Sequence, residues 1–312
     1  MNDLHAALDE YLSVRRTLGF KLRDEGTALP KFLRFLGEKK GASYITTDLA
    51  LQWATQPQNV LPSHWARRLT MVRNFAQFRS AKDRRTEIPP QSLLPYRYHR
   101  KTPYIYDNDE ISRLLNAASH LQSATALRAS TYTTLFGLLA FTGMRISEPI
   151  ALDCKDVDLT QAILTVRWTK FGKTRLIPIH STTVDKLKEY NRLRSRIFIR
   201  PKSPSFFVSE RGTRLAQCSV RYTFVKLSRE IGLRAPHDSH GPRVLDRRHT
   251  FAVKTLLRWY QTGVDVERHI PELATYLGHA HVNDTYWYIS AVPELLSLAT
   301  MRLDTMEGGS LL

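Results

Sequence analysis

The sequence contains little cysteine and no long apolar segment. Its two cysteines, Cys154 and Cys218, lie far apart and outside any CxxC spacing, which excludes a disulfide framework and a cysteine-based zinc site. The first residues, MNDLH, lack the basic and then apolar pattern of a secretory signal. No apolar run approaches the roughly twenty residues that a membrane span requires. We therefore expect a soluble protein of the reducing cytoplasm that uses no metal and no membrane.

Acidic residues are scarce relative to basic residues. Lysine and arginine number 46 against 29 acidic residues, which gives the 312-residue chain a formal net charge of +17. Such a surplus favours a polyanionic partner, nucleic acid first, although ribosome-associated and membrane-surface proteins share it. The hydrophobic fraction of 42% is enough for two modest domains with separate cores. Composition leaves the choice among these partners open, and the motifs decide it.

The first domain is predicted to span residues 1–88 and to consist of four helices. Apolar residues recur at helical spacing up to about residue 80. Ser63 is predicted to cap the last helix, and Thr47 with Asp48 the shorter helix before it. The predicted DNA contacts on the last helix are Arg67, Arg68 and Arg73, with further basic residues at Arg79, Lys82, Arg84 and Arg85. This basic face either tracks a DNA backbone or is an ordinary solvated surface.

Residues 89–103 form a predicted linker to a second domain of residues 104–312. The segment contains Pro89, Pro90, Pro95 and Pro103. Each proline lacks a backbone N–H donor and disfavours helix in the residue before it. The candidate DNA contacts in the linker are Arg97, Arg100 and Lys101, interleaved with Tyr96, Tyr98, His99 and Tyr104. This composition suits a segment that crosses phosphates while two domains hold one duplex, and a plain extended connector is the alternative.

The second domain is predicted to be mainly α-helical with a small antiparallel β-sheet. Asp107 and Glu110 have the spacing of a capping box that opens a helix. Gly143 stands where a helix commonly ends in a left-handed residue. Two β-branched, alternating segments, residues 163–168 and 174–179, predict a β-hairpin. The remaining segments have mostly helical periodicity.

Two arginines in separate segments are candidates for phosphate chemistry. Cleaving DNA requires stabilisation of the charge that develops on the scissile phosphate. A guanidinium group gives bidentate hydrogen bonds to phosphate oxygens and keeps its charge. Arg145 lies in TGMRISE, and Arg248 lies in DRRHTFA. Taken singly, either arginine fits a surface or salt-bridging role, so the choice depends on what their two sequence contexts resemble.

These two segments resemble the arginine boxes of the tyrosine recombinases, the family that includes the phage integrases. The first box keeps the family's acidic residue, here Glu148, three positions after Arg145. The resemblance extends in order and spacing over about residues 135–290, whereas the first domain matches only in size and helical character. It implies a helical core-binding (SAM-like) domain followed by a tyrosine recombinase catalytic domain.

The resemblance also assigns a histidine and a nucleophile. The segment YLGH resembles the one that carries the family's later catalytic histidine, here His279. The family's tyrosine follows that histidine by nine residues, which selects Tyr288 and excludes Tyr286. The implied reaction needs no cofactor: the Tyr288 hydroxyl attacks phosphorus, forming a 3′-phosphotyrosyl link and a free 5′ hydroxyl that can rejoin to another strand. A simple packing role is the alternative for His279.

The predicted hairpin supplies a further match. Its turn, within KFGKTRLIP, is similar to the family's β2–β3 turn. That similarity implies that Lys170 acts as general acid toward the leaving 5′ oxygen, with Lys173 as the alternative. In the same scheme His279 donates to a nonbridging oxygen, and Glu148 holds a neighbouring group in place.

The chain departs from the family at one expected catalytic position. The second box usually reads His-x-x-Arg, but Leu245 stands three residues before Arg248 and can neither accept nor donate a proton. Loss of a general acid or base typically lowers a rate by about 10² to 10⁴. We therefore expect an active but slowed enzyme.

Other residues near the second box bear on this gap. Arg243 and Arg247 add positive charge beside Arg248, and we predict that both contact DNA. His249 is a candidate supporting residue adjacent to Arg248, but a helix turns about 100° per residue, so we expect its side chain to point elsewhere. His237 and His240 lie on a loop that can reach inward, and the sequence does not decide between them.

Several functions compete with the recombinase prediction. The first alternative is a catalytically impaired, recombinase-like DNA-binding partner. A type IB topoisomerase shares the tyrosine chemistry, and a helix-turn-helix regulator explains the charge but not the tyrosine spacing.

The resemblance implies double-stranded DNA as partner and a homotetramer, or a mixed tetramer with related recombinases, in the nucleoid. Residues 293–299 form an amphipathic tail helix that packs on its own core or in a partner's groove, and residues 284–296 resemble members borne by mobile elements.

Overall fold

The chain folds into two compact units, Met1–Arg100 and Lys101–Leu312. The computed structural model describes residues 2–39, 43–95, 100, 102–167, 174–238 and 240–307. The division between the units falls inside the predicted linker, and two of its candidate DNA contacts, Arg97 and Lys101, lie outside the described residues. No described helix is long and apolar enough to cross a membrane.

The first unit contains the four predicted helices. They are α1 (Asn2–Thr17), α2 (Arg23–Glu38), α3 (Thr47–Thr55) and α4 (Pro62–Ser80). Apolar residues three and four apart place Leu29, Phe32 and Leu36 on one face of α2, where all three are buried. They share a core with Trp53 of α3 and Phe75 of α4. Burial of this shared apolar surface is what holds the four helices together.

The helix starts differ from the sequence prediction by one or two residues. Helix α3 is capped by Thr46, whose side chain accepts a hydrogen bond from the Leu49 N–H, so the predicted cap at Thr47 is wrong. Helix α4 begins at Pro62 and Ser63 lies inside its first turn, so the predicted Ser63 cap is also wrong. Proline is well suited to this first position because its φ is already helical and its missing N–H needs no partner there.

Arg79 does not belong to a basic DNA-facing surface. Its side chain is buried and pairs with Asp3 and Asp83. The sequence suggested that the basic residues of α4 share one face, but the burial of Arg79 removes it from any exposed basic face. Arg79 instead links the start of α1 to the end of α4.

The second unit combines nine described α-helices with a small sheet. The helices are α5 (Asn108–Ser119), α6 (Leu127–Thr142), α7 (Ser147–Ala151), α8 (Ser181–Ile197), α9 (Gln217–Glu230), α10 (Asp246–Gln261), α11 (Val266–Leu277), α12 (Asn283–Ala291) and α13 (Pro293–Glu307). The strands are β1 (Val157–Asp158), β2 (Ile163–Val166) and β3 (Arg175–Pro178). They form an antiparallel sheet in the order β1-β2-β3, with Leu164 paired to Ile177. The predicted fold class, mainly α with a small antiparallel sheet, is therefore confirmed.

Two hydrophobic clusters organise the second unit. The larger one joins α5, α6, α8 and α9 to the buried face of the sheet. The smaller one joins α10 to α13 and contains Leu256, Ile270, Tyr288 and Leu295. Because Leu295 is fully buried there, the start of the tail helix α13 packs on its own unit. The next residue, Leu296, is exposed.

Two local predictions in this unit are confirmed. Asp107 accepts a hydrogen bond from the Glu110 N–H, and the Glu110 side chain accepts one from the Asp107 N–H, which completes the capping box of α5. Gly143 ends α6 in the left-handed conformation with φ of 61°. Both features depend on residues within one turn, which is why the sequence alone reveals them.

Candidate active site

Four of the five predicted catalytic residues lie on elements that meet in the second unit. Arg145 follows the end of α6, Arg248 lies in the first turn of α10, His279 follows α11, and Tyr288 lies on α12. The fifth, Lys170, lies in the β2–β3 turn together with Lys173, and both lie outside the described residues. The four described residues are scattered along the sequence, so only the tertiary fold brings them together.

Three arginines bind the C-terminal end of α11. The carbonyls of residues 276–278 accept hydrogen bonds from Arg175, Arg248 and Arg145, at N···O distances of 2.8, 2.7 and 2.9 Å respectively. The last carbonyls of a helix lack partners within the helix and form the negative end of its dipole, so cations are favoured there. The three guanidinium groups thus fix the segment that leads directly into His279.

Glu148 holds two of these arginines together. Its buried carboxylate accepts hydrogen bonds from Arg145 and Arg175 at 2.8 to 3.1 Å. Burial alone would raise the pKa of this carboxyl, but the hydrogen bonds and positive charges of Arg175 and Arg145 lower it below its usual value. Glu148 therefore stays ionised and offsets the repulsion between two cations.

Glu148→Gln is expected to lower the free energy of unfolding by about 3 kcal/mol at neutral pH, because it leaves two guanidinium groups without their buried counter-charge. A carboxyl with a lowered folded-state pKa stabilises the protein above its unfolded pKa and loses that contribution as pH falls through the folded pKa. The difference between wild type and variant should therefore shrink in acid. Urea denaturation at several pH values measures it.

The matched control is Glu189→Gln. Glu189 pairs with Lys186 on the exposed surface of α8, where an ion pair contributes roughly 0 to 1 kcal/mol. Equal losses in the two variants, or a Glu148→Gln loss that does not shrink in acid, would contradict the assigned role of Glu148.

Arg248 lies deeper than Arg145. Only 3% of Arg248 is exposed, whereas Arg145 is half-buried. Burial, and then the charge of Arg145, lowers the pKa of Arg248 to about 10, so the group still carries its charge at neutral pH. Besides the α11 carbonyl it donates to the Gly143 carbonyl at 3.0 Å. A guanidinium group has five N–H donors, and the two hydrogen bonds to carbonyls use only some of them. The other N–H donors can bind a phosphate.

Two glycines permit this close packing. Gly143 and Gly278 both have positive φ values, which L side chains rarely adopt. A Cβ at Gly278 would lie 2.8 Å from Arg175 Nη1, and one at Gly143 would lie 2.8 Å from the ring of Phe251. Both corners that carry predicted catalytic residues therefore require glycine for conformation and for space.

The predicted nucleophile is buried among aromatic rings. Tyr288 is 0% exposed, and its ring stacks on that of His279 with centroids 6.4 Å apart. His279 Nδ1 lies 2.7 Å from the Thr285 hydroxyl, which orients the imidazole from within α12. Tyr288 also lies close enough to Arg248 for the two groups to interact electrostatically.

His249 contacts the predicted nucleophile directly, so the expectation that its side chain points away from the site is wrong. Its Nδ1 lies 2.8 Å from the Tyr288 hydroxyl oxygen. The rotation of about 100° per residue does separate His249 from Arg248, as predicted. Arg248 lies on the side of α10 that faces the α11 carbonyls, and His249 lies on the side that faces α12. His237 and His240, the two loop candidates, are exposed.

The other residues around the second box have different positions. Leu245 precedes α10 with 45% of its surface exposed, and the exposed Arg243 pairs with Asp246. Arg247 is only 1% exposed, and its guanidinium lies 5.4 to 5.7 Å from three ring centroids of the larger cluster. Burial lowers its pKa to about 10. The prediction that Arg247 contacts DNA is therefore wrong: this cation is enclosed by aromatic rings.

The predicted DNA contacts of the first unit differ in exposure. Arg67 is exposed and pairs with Asp24. Arg68 stacks over the Trp53 ring, 3.6 Å from its centroid, and burial lowers its pKa. Arg73 is half-buried, and Arg100, in the predicted linker, is exposed. Their contact with DNA stays a prediction.

Comparison with known proteins identifies the family. The sequence profile of the phage integrase family matches residues 105–294, which contain all the predicted catalytic positions. The chain belongs to this family. It is similar to y4rB of Sinorhizobium fredii, a protein named as an integrase/recombinase, with 48% identity over 308 residues, 97% of this chain and 98% of that protein. Membership makes this chain a DNA-binding enzyme that recombines DNA.

A second relative carries the name of the tyrosine chemistry. The tyrosine recombinase XerD of Caulobacter vibrioides is 32% identical over 241 residues, 76% of this chain and 73% of that protein. Among solved structures, the Tn1549 transposon integrase in complex with transposon right end DNA matches with a TM-score of 0.66 at 15% identity. The match covers 96% of this chain and 99% of that one, and it shows that the integrase fold is shared.

Sequence reasoning missed one residue of this candidate site, Arg175, and misplaced another, His249. Arg175 was inside the hairpin segment, but its role as the second partner of Glu148 depends on contacts across the fold. The sequence carries no local signal for this contact, because Arg175 and Glu148 are 27 residues apart. His249 was named as a supporting residue but was expected to point elsewhere, since helix geometry excludes a shared direction with Arg248 and does not reveal which element lies on the other side.

Proposed function

We propose that this integrase-family chain cuts and rejoins DNA at specific sites through a 3′-phosphotyrosyl intermediate formed by Tyr288. The observation that carries the proposal is the convergence of Tyr288, Arg248 and Arg145 around the segment that bears His279. Arg145 and Arg248 stabilise charge on the scissile phosphate, and His279 donates to a nonbridging oxygen. Because guanidinium groups supply this neutralisation, the proposed reaction needs no metal ion.

The remaining proposed role is that of the general acid. Lys170, or Lys173 as the alternative, protonates the leaving 5′ oxygen as the phosphodiester breaks. Retention of the bond energy in the tyrosyl link then allows the 5′ hydroxyl of another strand to reverse the step without a cofactor.

The proposed biological setting is a mobile element. The similarity of the fold to a transposon integrase and the similarity of the sequence to y4rB support this setting. The working assembly is proposed to be a tetramer on two duplexes, made of this chain alone or mixed with related recombinases. The exposed Leu296 on α13 is a candidate for contacts between copies.

Covalent capture tests the proposed chemistry. The probe is a pool of labelled duplexes with randomised sequence and one nick, placed so that cleavage releases a short oligonucleotide and prevents rejoining. We expect the full-length protein to form a denaturation-resistant adduct, to enrich a defined sequence, and to carry the DNA on the peptide that contains residue 288. Failure to form any adduct from the pool would reject the proposed function.

One observation favours a second function. Leu245 cannot replace the histidine of the family's second box, so the chain is alternatively an impaired recombinase-like protein that holds DNA for active partners. The two functions differ in the expected effect of Leu245→His. We expect Leu245→His to raise the rate of adduct formation by less than about tenfold. Loss of a general acid or base lowers a rate by about 10² to 10⁴ only where no other group takes its place.

The rate of adduct formation on the enriched sequence measures this effect. Leu245→Asn is the control, because it also places a polar side chain at this exposed position but cannot transfer a proton. A rise of 10²-fold or more that is specific to histidine would favour the impaired partner instead.

A further inference from the structure

The hydrogen bond between His249 and Tyr288 is not explained by the proposed roles of the other site residues. Nδ1 of His249 lies 2.8 Å from the Tyr288 oxygen, and the two ring centroids are 5.5 Å apart. The tyrosine is fully buried, so this oxygen is not simply hydrated. A ring nitrogen at this distance is within reach of the proton that the phenol must lose when it attacks phosphorus.

The position of His249 follows from how α10 packs. Arg248 faces the carbonyls of Gly143 and Leu277, while the next residue faces α12, which packs against α10. Consecutive residues of one helix therefore contact the proposed phosphate site and the nucleophile. A rigid first turn of α10 fixes the spacing between the two.

His279 and Glu148, the other two candidate proton-transfer groups among the described site residues, make different contacts. His279 stacks on the Tyr288 ring, and its Nδ1 is hydrogen-bonded to Thr285. Glu148 is held by Arg145 and Arg175. Leu245, at the position where the family has histidine, has no group that accepts a proton. The contact of His249 with the hydroxyl thus lies where the sequence leaves a catalytic function unassigned.

We propose that His249 is the general base that activates Tyr288. This inference rests on the proposed phosphotyrosyl chemistry. Nδ1, unprotonated in the resting tautomer, takes the hydroxyl proton as the bond from the Tyr288 oxygen to phosphorus forms and the bond from phosphorus to the 5′ oxygen breaks. The proposed acid, Lys170, gives its proton to that 5′ oxygen. On rejoining, the 5′ hydroxyl returns its proton to the lysine, and the imidazolium returns its proton to the tyrosine oxygen.

One nearby cation, Arg248, assists the same step. Negative charge develops on the phenol oxygen while Nδ1 withdraws its proton, and the guanidinium of Arg248 is close enough to stabilise it. The proton transfer is therefore coupled to the arginine that is proposed to bind the phosphate.

The test compares His249→Ala with His249→Asn in single-turnover adduct formation on the sequence enriched from the nicked pool. Asparagine places an oxygen near the position of Nδ1 and can accept the phenol hydrogen bond, but it cannot take the proton. We expect both variants to be slower than wild type by about 10² to 10⁴. His120→Asn, at an exposed site after α5, is the matched control and should keep the wild-type rate.

A second substrate separates base from acid catalysis. In a 5′-bridging phosphorothiolate, sulfur replaces the 5′ oxygen and leaves without needing a proton, so it relieves loss of the general acid only. The deficit of both His249 variants should persist on this substrate. DNA binding in a gel-shift assay checks that each variant is folded.

The outcomes distinguish this inference from the function on which it rests. Suppose that the wild-type protein forms the adduct. Three results would then overturn the assignment of His249 alone: His249→Asn reacts at the wild-type rate, either variant is faster than wild type, or the phosphorothiolate relieves the deficit. An unfolded alanine variant leaves the decision to the asparagine variant. Absence of wild-type adduct would overturn both.

Discussion

Tyr288→Phe is expected to abolish the covalent protein–DNA adduct while DNA binding is retained. The substitution removes only the hydroxyl oxygen that is proposed to attack phosphorus, and loss of a covalent nucleophile lowers rates by at least about 10⁴-fold. The phenylalanine ring should still fill the cluster that contains Leu256 and Leu295, so the packing of α12 is kept. Denaturing gels of labelled nicked DNA measure the adduct, and a gel shift measures binding.

Tyr286→Phe is the matched control for this prediction. Tyr286 lies on the same helix two residues earlier and is 41% exposed. The family spacing excludes it as nucleophile, and its exposure on α12 agrees with that exclusion. Adduct formation should be unchanged in Tyr286→Phe. An adduct that survives Tyr288→Phe but is lost in Tyr286→Phe would show that the tyrosine had been assigned in the wrong register.

The sequence predicted those parts of the site that depend on local chemistry and on spacing. Gly143 was recognised as a helix end because a left-handed residue after a helix has a local signature. The order of the boxes, ending in the interval between His279 and Tyr288, identified the family from residues alone, and the family profile agrees. These signals can be recognised in a single sequence because each box is a short continuous segment and the interval between His279 and Tyr288 is fixed.

The parts that sequence reasoning missed or misplaced depend on which elements pack together. Arg175 and Arg247 are both arginines near recognised motifs, yet one completes a buried ion pair with Glu148 and the other is enclosed by aromatic rings. Helical periodicity fixes the direction of His249 relative to Arg248, but not that α12 lies in that direction. Such contacts join residues that are 27 to 111 positions apart and leave no local pattern.

The error at Arg247 also has a physical explanation. An arginine beside a predicted catalytic arginine suggests an accumulation of positive charge on the surface, because charged residues are almost never fully buried without a partner. Here the partners are a carbonyl and ring faces: Arg247 donates to the Phe136 carbonyl at 2.8 Å and lies over the rings of Tyr106 and Phe224. Cation–π attraction strengthens when both groups are desolvated, which offsets part of the cost of burying the charge.

Arg248→Lys is expected to slow adduct formation by about 10² to 10³-fold, the usual cost of removing one preorganised donor from a charge-stabilising site. Lysine keeps the positive charge but has a single ammonium group, so it cannot bind the carbonyls of Gly143 and Leu277 and also present a planar pair of donors to a phosphate. Single-turnover trapping on the enriched sequence measures the rate.

The same substitution also leaves two buried carbonyls short of donors, and each unsatisfied polar group costs about 1 to 3 kcal/mol of stability. Rates must therefore be compared at a temperature where thermal unfolding curves show both proteins folded. Arg258→Lys, on an exposed position of the same helix, controls for the general effect of the substitution and should change neither property. A stability loss in Arg248→Lys without a loss of rate would mean that Arg248 only ties α6 and α11 together, and that Arg145 alone binds the phosphate.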